Sequence, residues 1–130
     1  MKVKLRNNGS VLLIAVFVIA MLSALVMGML QMNTEEIQLM QNQIYAVQAR
    51  AIAEAGLNDA LSELRADSSW RSGFANKAFP CGSYTVTVTG STIESTATSS
   101  NNFVAKVEAD VAFGSSSPYV IRIDALRINE

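Results

Sequence analysis

A chain of 130 residues has the length of about one domain, and half of its residues are hydrophobic. Its net charge of −1 and its lack of clustered Lys and Arg argue against a nucleic-acid partner, because phosphates are bound by such clusters. It has no histidine for a Ser-His-Asp or Cys-His arrangement and no Gly-rich loop that could cradle phosphate. We therefore expect no enzyme activity, no cofactor and no metal site. The single cysteine, Cys81, is expected to be structural, with an intermolecular bridge as the alternative.

The first predicted element is an apolar helix over residues 10–30. No charged residue lies between Arg6 and Glu35. About 20 apolar residues are needed to cross a bilayer as a helix, and only a helix satisfies every backbone amide of a single segment within lipid. We therefore expect this segment to span a membrane once.

The charges that flank the apolar segment predict its orientation. Lys2 and Lys4 precede it together with Arg6, while Glu35 and Glu36 follow it. The positive-inside bias places the N-terminus in the cytoplasm and the rest of the chain outside. The segment is longer than the apolar core of a secretory signal peptide, which leaves an uncleaved anchor and a prepilin leader as competing interpretations.

A short basic leader that ends in Gly9 and is followed at once by a long apolar helix resembles the signal cut by prepilin peptidase. The resemblance implies cleavage between Gly9 and Ser10, with Ser10 as the N-methylated end of the mature chain. Major pilins carry Glu at the fifth mature position, where this chain has Ile14. That departure resembles minor pilins or pseudopilins at the tip of a filament, because a subunit without the carboxylate needs no neighbour to neutralise it.

The helix is expected to continue to about residue 66, since residues 34–67 contain no Pro and a single Gly, Gly56. Two apolar stripes with 3–4 spacing follow each other along it. The first stripe comprises Ile37, Met40, Ile44, Val47 and Ala51. The second stripe comprises Ala53, Leu57, Ala60, Leu61 and Leu64. A helix of this length, roughly 80 Å, has no use in an isolated small domain, so its first half is expected to pack with equivalent helices.

The run "QARAIAEAGLNDALSEL" is similar to a segment of PilX-type minor pilins and of K-like pseudopilins of type II secretion, where the helix meets the head. Its small residues allow a sheet or a helix to approach closely. We expect the packing between helix and head to involve five residues: Ala53, Gly56, Leu57, Leu61 and Leu64.

The remaining chain predicts a loop and then four strands. Gly, Pro and Ser punctuate residues 68–82, which we expect to form a loop held to the core by Trp70, Phe74 and Phe79. Alternation of apolar and polar residues predicts strands within residues 83–90, 91–99, 103–113 and 118–128, with a bulge or strand end near Ala125. Three acids, Glu108, Asp110 and Asp124, are expected on the polar face, paired with Lys106 and Arg122 as cross-strand partners.

The predicted fold is therefore α+β and pilin-like, with a long N-terminal α-helix, whose first half spans the membrane, packed on a four-stranded antiparallel β-meander. The expected divisions are a leader at 1–9, a transmembrane and assembly helix at 10–34, a periplasmic half of the helix at 35–66 and a sheet head at 67–130. The resemblance implies a minor pilin or pseudopilin of a type IV pilus or a type II secretion pseudopilus. Its implied partners are prepilin peptidase, the bacterial inner membrane and other pilins. The alternative is an uncleaved single-pass inner-membrane protein that presents a small periplasmic binding domain.

Overall fold

The computed structural model describes residues 8–116 and 119–129. The fold is α+β, with one long N-terminal helix followed by an antiparallel sheet. The elements in chain order are α1 (Asn8–Ala66), β1 (Phe74–Phe79), β2 (Gly82–Thr89), β3 (Thr92–Ser99), β4 (Val104–Phe113) and β5 (Ile121–Asn129).

Helix α1 has 59 residues and contributes to both of the compact units into which the chain divides, Met1–Gln41 and Asn42–Glu130. Good helix formers and the absence of Pro explain its length. Within its apolar part, Ser23 and Thr34 donate their hydroxyl groups to the carbonyl oxygens of Ile19 and Leu30, at 2.8 and 2.9 Å. These two polar side chains are thereby satisfied by the helix itself, as an apolar environment requires.

The second unit holds a single sheet in which every strand pairs antiparallel with the next, in the order β1-β2-β3-β4-β5. The expectation of sequential antiparallel pairing is confirmed. The expectation of four strands is wrong, because the sheet has five. The additional strand, β1, lies inside the segment that we expected to be a loop.

The sequence pattern did not predict strand β1 because the geometry of this strand is irregular. The register between β1 and β2 shifts between Phe74 and Lys77, and Asn76 has a φ of 47°. This irregularity breaks the alternation that identifies strands. At the other end of β1, Phe79 pairs with Gly82. The residues Pro80 and Cys81 between them form a hairpin turn rather than the end of a loop.

Strand β5 also contains an irregularity, and here the sequence indicated it. Val111 pairs with Ile123 while Asp110 pairs with Ala125, so Asp124 is the additional residue of a bulge. The expected break near Ala125 is confirmed. The alternation within residues 118–128 places Ile123 on the apolar face, but it is 46% exposed although its partner Val111 is buried. β5 is an edge strand, and the buried core contains residues of α1, β2, β3 and β4 only.

The core lies between the second half of α1 and one face of the sheet. The helix contributes small and aliphatic side chains, and the three inner strands contribute alternate residues that face the helix. The buried cluster comprises Ile52, Ala53, Leu57, Ala60, Leu61, Leu64, Tyr84, Val86, Val88, Ile93, Ala97, Val107, Ala109 and Val111.

Candidate functional site

The residues of the expected cleavage site lie in the first turns of α1. Gly9, Ser10 and Ile14 are all exposed, and a Cβ built on Gly9 would meet nothing within 4 Å. Of the expected leader, residues 1–7 lie outside the part of the chain that the structure describes. Because residue 14 is Ile and not Glu, this position of the helix carries no carboxylate.

The apolar part of α1 is one exposed surface. Every residue from 9 to 43 is exposed, and its large apolar side chains range from 47% exposed at Val18 to 71% at Leu13. The helix is long and apolar enough to cross a membrane. Exposed apolar area costs about 25 cal/mol per Å² in water, so this surface is stable only beside lipid or another apolar surface.

Within the second unit, the helix separates exposed and buried apolar residues onto nearly opposite faces. Ile44 and Val47 of the first stripe are 53% and 63% exposed, and Ala51 is exposed as well. At about 100° per residue, the sector of these side chains is centred about 160° from the centre of the buried positions between residues 49 and 64. The sheet therefore cannot cover the first stripe.

The second stripe forms the contact between helix and sheet. Its five residues have side chains at most 8% exposed. Of the residues expected to pack the helix on the head, Gly56 makes the closest approach. A Cβ built there would lie 2.5 Å from Ser95 Oγ and 2.7 Å from a ring carbon of Tyr84. The absence of a side chain at Gly56 thus sets the distance between α1 and the middle of the sheet.

A polar cluster that the sequence did not indicate joins α1 to strands β1 and β2. Asp59 accepts hydrogen bonds from the Lys77 ammonium group and from the Tyr84 hydroxyl group. Lys77 Nζ also lies 4.4 Å from the centre of the Phe74 ring, within reach of a cation–π interaction. The hydrogen bond from Lys77, and then that from Tyr84, lowers the pKa of Asp59. The same contact with Asp59 raises the pKa of Lys77.

The outer face of the sheet carries paired charges. Arg122 contacts Asp124 at 2.6 Å, but both residues lie on β5, so the expected pairing across strands is wrong for Arg122; Arg127 contacts both Glu108 and Asp110 on β4. The expected pairing of Lys106 is wrong in its partner. Lys106 bonds Glu94 on β3 at 2.8 Å, because Glu94 lies opposite Glu108 in the register and within reach of Lys106. Within residues 8–116 and 119–129, no three His, Cys, Asp or Glu side chains form a group that could hold a metal ion.

The remaining candidates are placed as follows. Trp70 packs against Phe74 with ring centres 5.1 Å apart, and both are partly buried at the edge of the core. Phe79, expected to be an anchor, is 41% exposed and touches the ring of Tyr84. Cys81 is a free, exposed thiol at a φ of 69°.

The exposed apolar surfaces of α1 are therefore the candidate functional site among the residues that the structure describes. Comparison with protein families, with curated proteins and with solved structures finds no match to this chain.

Proposed function

We propose that this protein is a minor pilin or pseudopilin, inserted in the bacterial inner membrane and then incorporated into a type IV pilus or a type II secretion pseudopilus. It acts by packing its helix against other subunits and performs no catalysis. The observation that carries the proposal is a single helix, Asn8–Ala66, that is apolar and exposed over its first half and bears a folded sheet on its second half.

Support for a filament subunit comes from what this helix leaves uncovered. The exposed apolar surface continues past Glu35 and Glu36 along the first stripe, so it extends beyond a segment that lipid alone would cover. A plain membrane anchor has no need of apolar exposure beyond the bilayer. A helix that leaves lipid for a bundle of similar helices requires apolar surface in both parts.

Support for a minor subunit comes from Ile14. A buried carboxylate is costly unless a positive group, here the N-terminal amine of a neighbouring subunit, lies beside it. A subunit with Ile at this position has no carboxylate to neutralise, so it is not destabilised when no neighbour is present on that side. We assign such a subunit to the end of a filament, where it would prime or cap assembly. Prepilin peptidase would cut between Gly9 and Ser10, with the N-terminus in the cytoplasm and the head in the periplasm.

The test is the intact mass of the protein extracted from membranes of cells that contain prepilin peptidase. The proposal expects a chain that begins at Ser10 and carries one methyl group. A Gly9→Val variant should retain residues 1–9, whereas Gly28→Val, at a second open helix position, should be processed normally.

Two outcomes would contradict the proposal. A wild-type chain that keeps residues 1–9 in the presence of the peptidase would favour the uncleaved single-pass anchor that presents a binding domain. A correctly processed chain that never appears in sheared filaments or pulls down no other leader-bearing subunit would also refute the assembly role.

A further inference from the structure

The first stripe has a property that membrane insertion does not require. Its five residues follow a strict 3-4-3-4 spacing, which is the a/d pattern of a two-stranded coiled coil. With Ile37 at an a position, the a positions hold Ile, Ile and Ala and the d positions hold Met and Val. Parallel dimers favour β-branched residues at a with Leu at d; Ile37 and Ile44 meet the first condition, while the d positions hold Met40 and Val47 instead of Leu.

From these observations we propose that two copies of this chain pair in parallel and in register through the first stripe, forming a homodimer in the membrane. The pairing concerns the membrane-bound protein and does not depend on cleavage or on entry into a filament.

The sequence around the stripe permits pairing of identical copies. In a parallel dimer each g position faces the e position five residues later on the partner. Those pairs are Glu36 with Gln41 and Gln43 with Gln48, so no like charges face each other. Neutral Gln pairs allow self-association, whereas charged e and g positions of one sign would oppose it.

The position of the head also permits the pairing. In the second unit, the side chains of Ile44, Val47 and Ala51 point away from the sheet, which packs on Ala49 and Ile52. Two heads would therefore lie on the outer sides of the paired helices. The stripe ends where Glu54 occupies the next d position, and Glu54 is bonded to Arg50 at 3.0 Å within its own helix.

A seam of two heptads is short for a coiled coil in water, where nucleating the helix is costly. That cost is absent here because α1 is already helical on both sides of the stripe. Anchoring in one membrane also holds two copies parallel and at the same height, which raises their effective concentration.

Disulfide formation between engineered cysteines tests the pairing in membrane vesicles that contain the full chain. Cys81→Gly removes the native thiol, and single cysteines are then placed by Met40→Cys, Val47→Cys or Leu39→Cys. Leu39 is the matched control, since Met40 and Leu39 are both 62% exposed and Leu39 lies outside the stripe. Because a disulfide requires a close Cβ approach, we expect about tenfold more linked dimer at positions 40 and 47 than at 39.

Several outcomes would overturn the parallel, in-register homodimer. Equal yields at positions 39 and 40 would indicate random collision. Linkage between Met40→Cys and Val47→Cys chains, without linkage between identical chains, would indicate a staggered contact. Absence of linked dimer at all three positions would show that the stripe is not paired with a second copy.

A second variant separates pairing from folding and from filament assembly. Ile44→Lys should lower the yield of linked dimer at position 47 about tenfold, since it places two ammonium groups face to face in the seam. Leu39→Lys should not. The same difference between the two lysine variants is expected in a Gly9→Val background. The result can therefore be interpreted even if the chain is not processed. Unchanged linkage in the Ile44→Lys chain would refute the seam.

Discussion

Substitution of Gly56 by Ala tests whether the close approach between α1 and the sheet determines the stability of the head. The new Cβ would lie 2.5 Å from Ser95 Oγ and 2.7 Å from the Tyr84 ring. Both neighbours are buried, and the Tyr84 hydroxyl group is held by Asp59. Neither can move without displacing other atoms, so the helix must shift away from β2 and β3.

The size of the effect follows from two opposing terms. Overpacking a filled core costs about 1–3 kcal/mol. Replacing Gly by Ala inside a helix stabilises it by about 1 kcal/mol. We expect a net loss of up to about 2 kcal/mol in the free energy of unfolding, which lowers Tm by up to about 15 °C for a domain of this size.

Thermal unfolding of the full chain in detergent micelles measures this effect, with the fluorescence of Trp70, the only tryptophan, as the signal. Gly56→Ala should lower Tm less in a Ser95→Ala background than in the wild-type background, because the nearest clashing atom, Ser95 Oγ, is then absent. If Gly56→Ala raised Tm, the helix propensity of Ala would outweigh the contact, and the inferred distance between helix and sheet would be wrong. Asn58→Ala on the exposed face is the control for propensity alone.

Three further predictions concern the same unfolding measurement. Ser95→Ala should stabilise the head by about 1 kcal/mol, because Ser95 Oγ is buried without a partner among the described residues; a lower Tm would show that this hydroxyl group is satisfied. Cys81→Gly should stabilise it by about 0.5–1 kcal/mol, since Gly adopts a φ of 69° without strain, and Cys81→Val should do the opposite. Because its contacts with Lys77 and Tyr84 lower the pKa of Asp59 below 3.8, the stabilisation by this carboxylate is complete above that pH and is lost as pH falls through the lowered pKa. The Tm of Asp59→Asn should therefore fall less than that of the wild type between pH 6 and acidic pH below 3.8, and parallel curves would exclude this contribution.

The parts of the fold that the sequence predicts are those with a regular period. The apolar helix, the two stripes and the alternation in β2 and β4 each repeat at the spacing of one secondary structure. The alternation of apolar and polar residues in a strand predicts the face of the sheet on which each side chain lies, and a break in it predicted the bulge near Ala125. It does not predict whether that side chain is buried, because burial depends on how far the helix extends over the sheet. Ile123 shares a face with buried Val111 and is nevertheless half exposed.

The features that the sequence did not reveal lack any period. Strand β1 is short, lies at an edge and contains a bulge, so its residues lack a regular alternation and the sequence pattern predicted a loop. Asp59 and Lys77 are 18 residues apart and meet only because β1 is a strand that lies beside the helix. Contacts of this kind follow from the tertiary arrangement, and a pattern within one element carries no information about them.

The functional prediction depends on the same distinction between faces. A helix that merely anchored a domain would place its apolar residues in the bilayer and under the sheet, and would be polar elsewhere. Here Ile44 and Val47 lie on the face opposite to the core and beyond the charged residues that follow the apolar segment. Their exposure costs free energy in the isolated chain, since roughly 0.8 kcal/mol is lost for each CH₂ left in water. We expect a second helix to cover this heptad-spaced surface, and we propose that it belongs to another copy of the same chain because the neutral Gln residues beside the stripe allow identical helices to pair.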